Sequence, residues 1–136
     1  MTTTTDHPNV ETISRMTKAI FDQDHDTLAG IFTDDLVFHL RGPAAVQGDH
    51  QGLGGLLEAL GALFDMTAGR ITLDTKFCIG ADGWAAEHEH ATLGRPGDAE
   101  TIESHNAFVY RFDGDRVAEM WMYLGVLPEV AEAFFG

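Results

Sequence analysis

The sequence predicts an α+β domain, with helices covering one face of a mostly antiparallel sheet. Two observations lead there. Apolar residues recur at spacings of three and four in most of the first half of the chain, the signature of amphipathic helices. In the second half they alternate, and the alternating runs are separated by short glycine-containing turns of hairpin length. Each element then has one apolar face to bury, and helices stacked on a sheet bury both.

The elements follow in order. Val10, Ile13, Met16, Ala19 and Ile20 make one face of a helix from Pro8 to Gln23. Asp6 is placed to cap it, Pro8 suits its first turn, and Glu11 complements its dipole. A shorter helix runs from about Asp26 to Phe32 with Leu28, Ile31 and Phe32 apolar. Leu36 to Leu40 reads as a strand, and Arg41 to Gly52 as a loop with several glycines and a proline. Leu53 to Met66 is the third helix, with Leu56, Leu60, Leu63 and Phe64 on one side. Four strands follow: Arg70 to Ile79, Trp84 to Leu93, Thr101 to Phe112 and Arg116 to Leu124. Gly80 to Gly83, Pro96-Gly97 and Asp113-Gly114-Asp115 supply the turns between them. A last short helix spans Pro128 to Phe135. A curved sheet wrapped over helices leaves a hollow of the kind that holds ligands.

The chain has 136 residues, enough for one self-supporting core. With no repeat and no internal linker, residues 8–136 read as one domain behind a disordered threonine-rich tail, residues 1–7. Eight Lys and Arg against 22 Asp and Glu give a net charge of −14. So acidic a surface repels phosphate backbones and anionic lipid, which argues against nucleic-acid and membrane partners. No apolar run approaches a membrane span, and the N-terminus lacks the basic and apolar regions of a signal peptide. Cys78 is the single cysteine, so the fold demands no oxidising compartment, and a cytoplasmic location is expected.

Two segments carry a family resemblance. Phe32 to Gly42 (FTDDLVFHLRG), followed by Gln51-Gly52 opening a helix, resembles the start of SnoaL-like domains. Val109 to Tyr123 (VYRFDGDRVAEMWMY) resembles their last hairpin. The order of elements agrees from about Val10 to Leu124 with the SnoaL-like and nuclear-transport-factor-2-like superfamily. The resemblance implies a cone: a half-barrel sheet wrapped over the N-terminal helices around a pocket. That superfamily includes ketosteroid isomerases, polyketide cyclases, epoxide hydrolases, dehydratases and binding domains without chemistry. Ungapped alignment puts Met16, Leu40 and Phe108 where ketosteroid isomerases carry their tyrosine, general base and second acid. Chemistry of that type lacks its donors and its base here. The Asp-Arg-Asp set of the epoxide hydrolases lacks an Arg-x-Asp pair on the third strand.

The same alignment sets side-chain parity, because strand faces alternate with period two. With Phe108 inward, Ser104, Asn106, Tyr110 and Phe112 follow, and Met120, Met122 and Leu124 on the last strand. Phe38 and Leu40 face inward and His39 outward. On the strand from Trp84 to Leu93, either Trp84, His88 and His90 or, one residue slipped, Glu87 and Glu89 face the pocket. Glutamate is rarely buried without a partner, so the expectation is that the histidines are inside. This gives His88, His90 and Asn106 as candidate catalytic residues: histidine titrates near neutral pH, and an amide can orient a carbonyl. Met16, Phe38, Leu40, Trp84, Ser104, Phe108, Tyr110, Met120 and Met122 are candidate ligand contacts. His88-x-His90 lacks a third ligand, so no metal site is expected. The glycines near residue 52 lack the Lys-Ser or Lys-Thr of a phosphate loop.

The functional expectation is a small-molecule enzyme. It would use acid–base chemistry without a cofactor for cyclisation, isomerisation or dehydration of a hydrophobic, polyketide-like or terpenoid-like substrate. The alternatives are a binding protein for an apolar ligand and a protein-interaction module. Trp121 and Tyr123 on the outer sheet face suggest an interface, and the resemblance implies a homodimer there.

Overall fold

The structure, a computed structural model, describes residues 3–4, 6–42 and 47–135. Eleven elements follow in order: β1 (Thr3–Thr4), α1 (Pro8–Asp22), α2 (His25–Ile31), β2 (Phe32–Arg41), β3 (Gly48–Gln51), α3 (Gly52–Thr67), β4 (Ile71–Ala81), β5 (Trp84–Leu93), β6 (Ile102–Asp113), β7 (Arg116–Tyr123) and α4 (Pro128–Phe135). The strands form one sheet in the order β1-β4-β5-β6-β7-β2-β3. Its body is antiparallel, and β2 joins β7 in parallel after the long excursion through four strands and a helix. The result is the expected α+β cone, a curved unclosed sheet with the N-terminal helices on its concave side.

Four details depart from the sequence expectation. The cap of α1 is His7, whose Nδ1 accepts from the Asn9 backbone N–H at 3.1 Å. Asn9 then donates through its side chain to the carbonyls of Ala81 and Trp84, pinning the helix start to the β4–β5 turn. Thr3–Thr4 pairs in parallel with Phe77 and Cys78, where a frayed tail was expected. The region expected to be loop contains β3, paired with Val37 to Leu40. Its sequence, Gly-Asp-His-Gln, has no apolar alternation to announce it; backbone pairing at the sheet edge makes it a strand.

The fourth departure shapes the pocket. A bulge between Thr75 and Phe77 shifts the register of β4. An extra residue reverses side-chain parity beyond it. Ile71 and Leu73 therefore face the concave side before the bulge. After it Cys78 faces in, while Phe77 and Ile79 face out and are exposed.

The core lies between sheet and helices. Leu28, Leu36, Phe38, Leu40, Leu56 and Met120 are buried in one cluster with Ile13 and Met16 of α1. Each such side chain contributes about 2 kcal/mol by leaving water. Among the described residues no helix is long and apolar enough to cross a membrane.

Candidate active site

The concave side of the sheet is not filled by the helices, and the space between them is a cleft. It encloses about 880 Å³, its open mouth included. Met16, Ile20 and Phe21 of α1 form one wall, and Leu60, Leu63 and Phe64 of α3 another. Phe108, Met120 and Met122 of the sheet make the floor, and Val126 and Phe135 border the side near the C-terminus. The helix periodicity explains the first two walls: residues three and four apart share a face.

Almost all the polarity of this cleft comes from β5 and β6. Thr17 and Thr67 also line it, but each donates its hydroxyl back into its own helix. What remains is Glu87, Glu89, Asn106 and Tyr110. Glu87 and Glu89 are 6% and 5% exposed. The Tyr110 hydroxyl donates to Glu87 Oε1 at 2.6 Å. Asn106 Nδ2 donates to Glu89 Oε1 across a long 3.4 Å. Asn106 is itself held, because its Oδ1 accepts from Ser104 Oγ at 2.5 Å and from the Gly125 N–H at 3.2 Å. Ser104 thus supports the amide from behind. Among the described residues no Lys, Arg or His lines the cleft.

Two carboxyl groups here cannot both ionise cheaply. Burial, then the neighbouring Glu87 charge, pushes Glu89 up to about 7, with Asn106 opposing weakly. Burial also raises Glu87, against the opposing hydrogen bond from Tyr110. Tyr110 is held well above its usual range by burial and then by Glu87, so it stays a neutral donor. Cys78, on β4 opposite Glu87, is pushed up to about 11 by burial and Glu87, which makes it an inert thiol.

The sequence expectation for β5 is therefore corrected. Glu87 pairs directly with Phe108, and Glu89 with Asn106. Residues opposite each other in an antiparallel pair share a face, so the inward set of β6 carries the glutamates inward. His88, His90 and Trp84 lie on the outer face. There His88 Nε2 approaches His105 Nδ1 at 3.2 Å, and His90 Nε2 meets Glu103 Oε1 at 3.0 Å. Trp84 is 47% exposed and stacks on Trp121. Of the other expected contacts, Met16, Asn106, Phe108, Tyr110, Met120 and Met122 line the cleft. Ser104 sits one hydrogen bond behind it, and Phe38 and Leu40 are buried in the adjoining core.

The glutamates had a readable signal. Ala85, Ala91 and Leu93 share their parity and are apolar. Tyr110 and Asn106, facing inward, needed acceptors that a buried carboxylate supplies. His39 is outward as expected, held between Asp49 at 2.8 Å and Glu119 at 2.6 Å. Among the described residues no three of His, Cys, Asp and Glu are grouped to hold a metal ion.

A family model described as a SnoaL-like domain matches residues 13–120, most of the chain. The chain belongs to the SnoaL-like domain family. Solved structures of the same shape span nearly the whole molecule. Bal32a, from a soil-derived mobile gene cassette, is 21% identical with a TM-score of 0.79, covering 95% of this chain and 97% of that one. A protein described as a SnoaL-like polyketide cyclase, from Jannaschia sp. CCS1, is 14% identical with a TM-score of 0.79, covering 95% and 92%. A protein described as an isomerase, from Rhodopseudomonas palustris, is 21% identical with a TM-score of 0.72, covering 95% and 97%. No curated protein matches the sequence. In this SnoaL-like chain the concave cleft therefore offers two buried carboxyl groups, an amide and a phenol among apolar walls.

Proposed function

We propose that this SnoaL-like protein is a cofactor-free enzyme that moves a proton on a hydrophobic small molecule, with Glu89 as the proton-transfer group. The observation that carries this reading is a carboxyl group raised to about 7 inside an apolar cleft. A general acid or base works best when its pKa lies near the operating pH. Asn106, fixed by Ser104 and Gly125, has a second amide N–H to orient a substrate oxygen, while the single O–H of Tyr110 is held by Glu87. Cyclisation, isomerisation and dehydration all need such a proton transfer, and polyketide-like or terpenoid-like skeletons suit the walls. The cyclase and isomerase descriptions of similar folds support the reaction class.

The test begins with native mass spectrometry, which identifies whatever the purified protein retains. With that skeleton as substrate, Glu89→Gln is expected to lower turnover at least about 100-fold while the fold is kept. Full turnover in Glu89→Gln would remove Glu89 from the chemistry.

A second reading is a binding protein without chemistry. It is favoured by Met16, Leu40 and Phe108, which are apolar where the resemblance places the functional groups of ketosteroid isomerases. Ligand recovered unchanged by both wild type and Glu89→Gln would select it. The outer face of the sheet is proposed as the contact for a second copy of the chain.

A further inference from the structure

Among the described residues the two carboxyl groups are the only ionisable side chains lining the cleft apart from the neutral Tyr110. Neither makes a salt bridge with any described residue. A buried carboxylate without a cation is costly, and the usual remedies are protonation or a partner charge. Here the protein supplies no such partner.

The walls around the acids suit one. Phe108 stands directly across from Glu87 on the neighbouring strand. Its ring and that of Tyr110 are nearly parallel, with centroids 6.2 Å apart. Phe21 and Phe64 meet edge to face on the helix side of the cleft. Aromatic faces attract cations, most strongly where water is excluded. The polarisable sulfurs of Met16, Met120 and Met122 complete an environment that adapts to an irregular skeleton. The chain's charge of −14 adds a field that draws cations towards it.

We propose that the molecule held in this cleft is an apolar amine, bound as its ammonium ion against Glu87 and Glu89. This rests on the reading of the cleft as a small-molecule site and narrows its ligand class. The ammonium supplies a positive charge that no described residue lining the cleft provides, so one carboxyl group can be ionised beside it in the complex. A neutral skeleton of the same shape leaves one carboxyl protonated and gains only the apolar contacts. An anionic one is repelled.

A charge series on one skeleton tests this: 1-adamantylamine, 1-adamantanol and 1-adamantanecarboxylate, titrated by calorimetry into wild-type protein at pH 7.5. The amine is expected to bind at least 10-fold tighter than the alcohol, with the carboxylate weakest, because an ion pair in a desolvated site is worth more than a neutral contact. In Glu89→Gln the preference of amine over alcohol is expected to shrink to less than about 3-fold. Amine and alcohol binding equally to wild type would overturn the proposal and leave the small-molecule cleft standing. Failure of all three to bind would overturn both. The wild-type series decides the matter even where the variant does not fold.

Discussion

At the scale of single residues, the cost of burying Glu89 shows up as a pH dependence of folding. Its carboxyl titrates at about 7 in the folded chain against an ordinary 4.5. Between those values the folded state holds a proton that the unfolded state has released. The stability linked to Glu89 is therefore full below about pH 4.5 and is lost as pH rises through about 7. Its size is on the order of 3 kcal/mol, taking roughly 1.4 kcal/mol per pKa unit. Other groups titrate in the same range. Burial lowers His39, but its bonds to Asp49 and Glu119 raise it by more, so its contribution also falls as pH rises. Denaturant unfolding at pH 5 and pH 8 separates the two, because His39 acts equally in wild type and in Glu89→Gln. The variant is expected to lose clearly less stability than wild type over that interval. An identical loss in both would show that Glu89 is not held protonated. Tyr110→Phe tests the neighbouring bond: it leaves the Glu87 carboxyl buried without its donor and is expected to cost about 1–3 kcal/mol.

At the scale of elements, the close approach of the segment after β7 to β6 holds the amide of Asn106. A Cβ on Gly125 would stand 1.8 Å from the His105 carbonyl oxygen, which no side-chain shift relieves because the contact is backbone. Gly125→Ala must push the two segments apart and break the Gly125 N–H bond to Asn106. A loss of at least about 2 kcal/mol is expected, at the upper end of overpacking costs. Gly30, in α2, meets nothing within 4 Å, so Gly30→Ala is expected to be neutral or stabilising by up to about 1 kcal/mol. Thermal melts of both variants check the contrast. Much at this scale was legible in the sequence. The spacing of Val10 to Ile20 gives α1, Asp113-Gly114-Asp115 gives the β6–β7 turn, and the family resemblance implied the inward set Asn106, Phe108 and Tyr110. The register of β5 was legible only in the weak signal of Ala85, Ala91 and Leu93. Its connection to β6, residues 94–101, is long enough to allow either parity. The rule that glutamate avoids burial then chose the wrong face, because hydrogen-bond donors on the neighbouring strand were waiting for it. The bulge at Thr75 was equally silent: a single extra residue leaves no compositional trace, yet it turns Phe77 and Ile79 outward.

At the scale of the whole molecule, those outward residues join a surface that a free monomer would leave wet. Phe77, Ile79, Trp84 and Tyr123 are each 40% exposed or more. Trp84 stacks on Trp121, which stacks on His39, while Phe77, His88, His105 and His90 form a second chain of rings. Exposed apolar surface of this kind marks an interface. Its charges are already spent: Glu119 is bonded to His39 and Arg111, and Glu103 to His90. A second copy can therefore approach this face more cheaply than the rest of an acidic surface. Two partners of charge −14 still repel at long range, and salt screens that repulsion. Self-association driven by apolar contact should thus strengthen with added salt, whereas docking of a basic partner protein would weaken. Light scattering at micromolar concentration is expected to give twice the chain mass, with a dissociation constant that falls between 50 mM and 500 mM salt. Trp121→Lys places an unpaired cation in the middle of the stack and is expected to yield monomers, with the charge-series binding in the concave cleft unchanged. A wild-type monomer at both salt concentrations would overturn the homodimer and return this face to a partner of another kind.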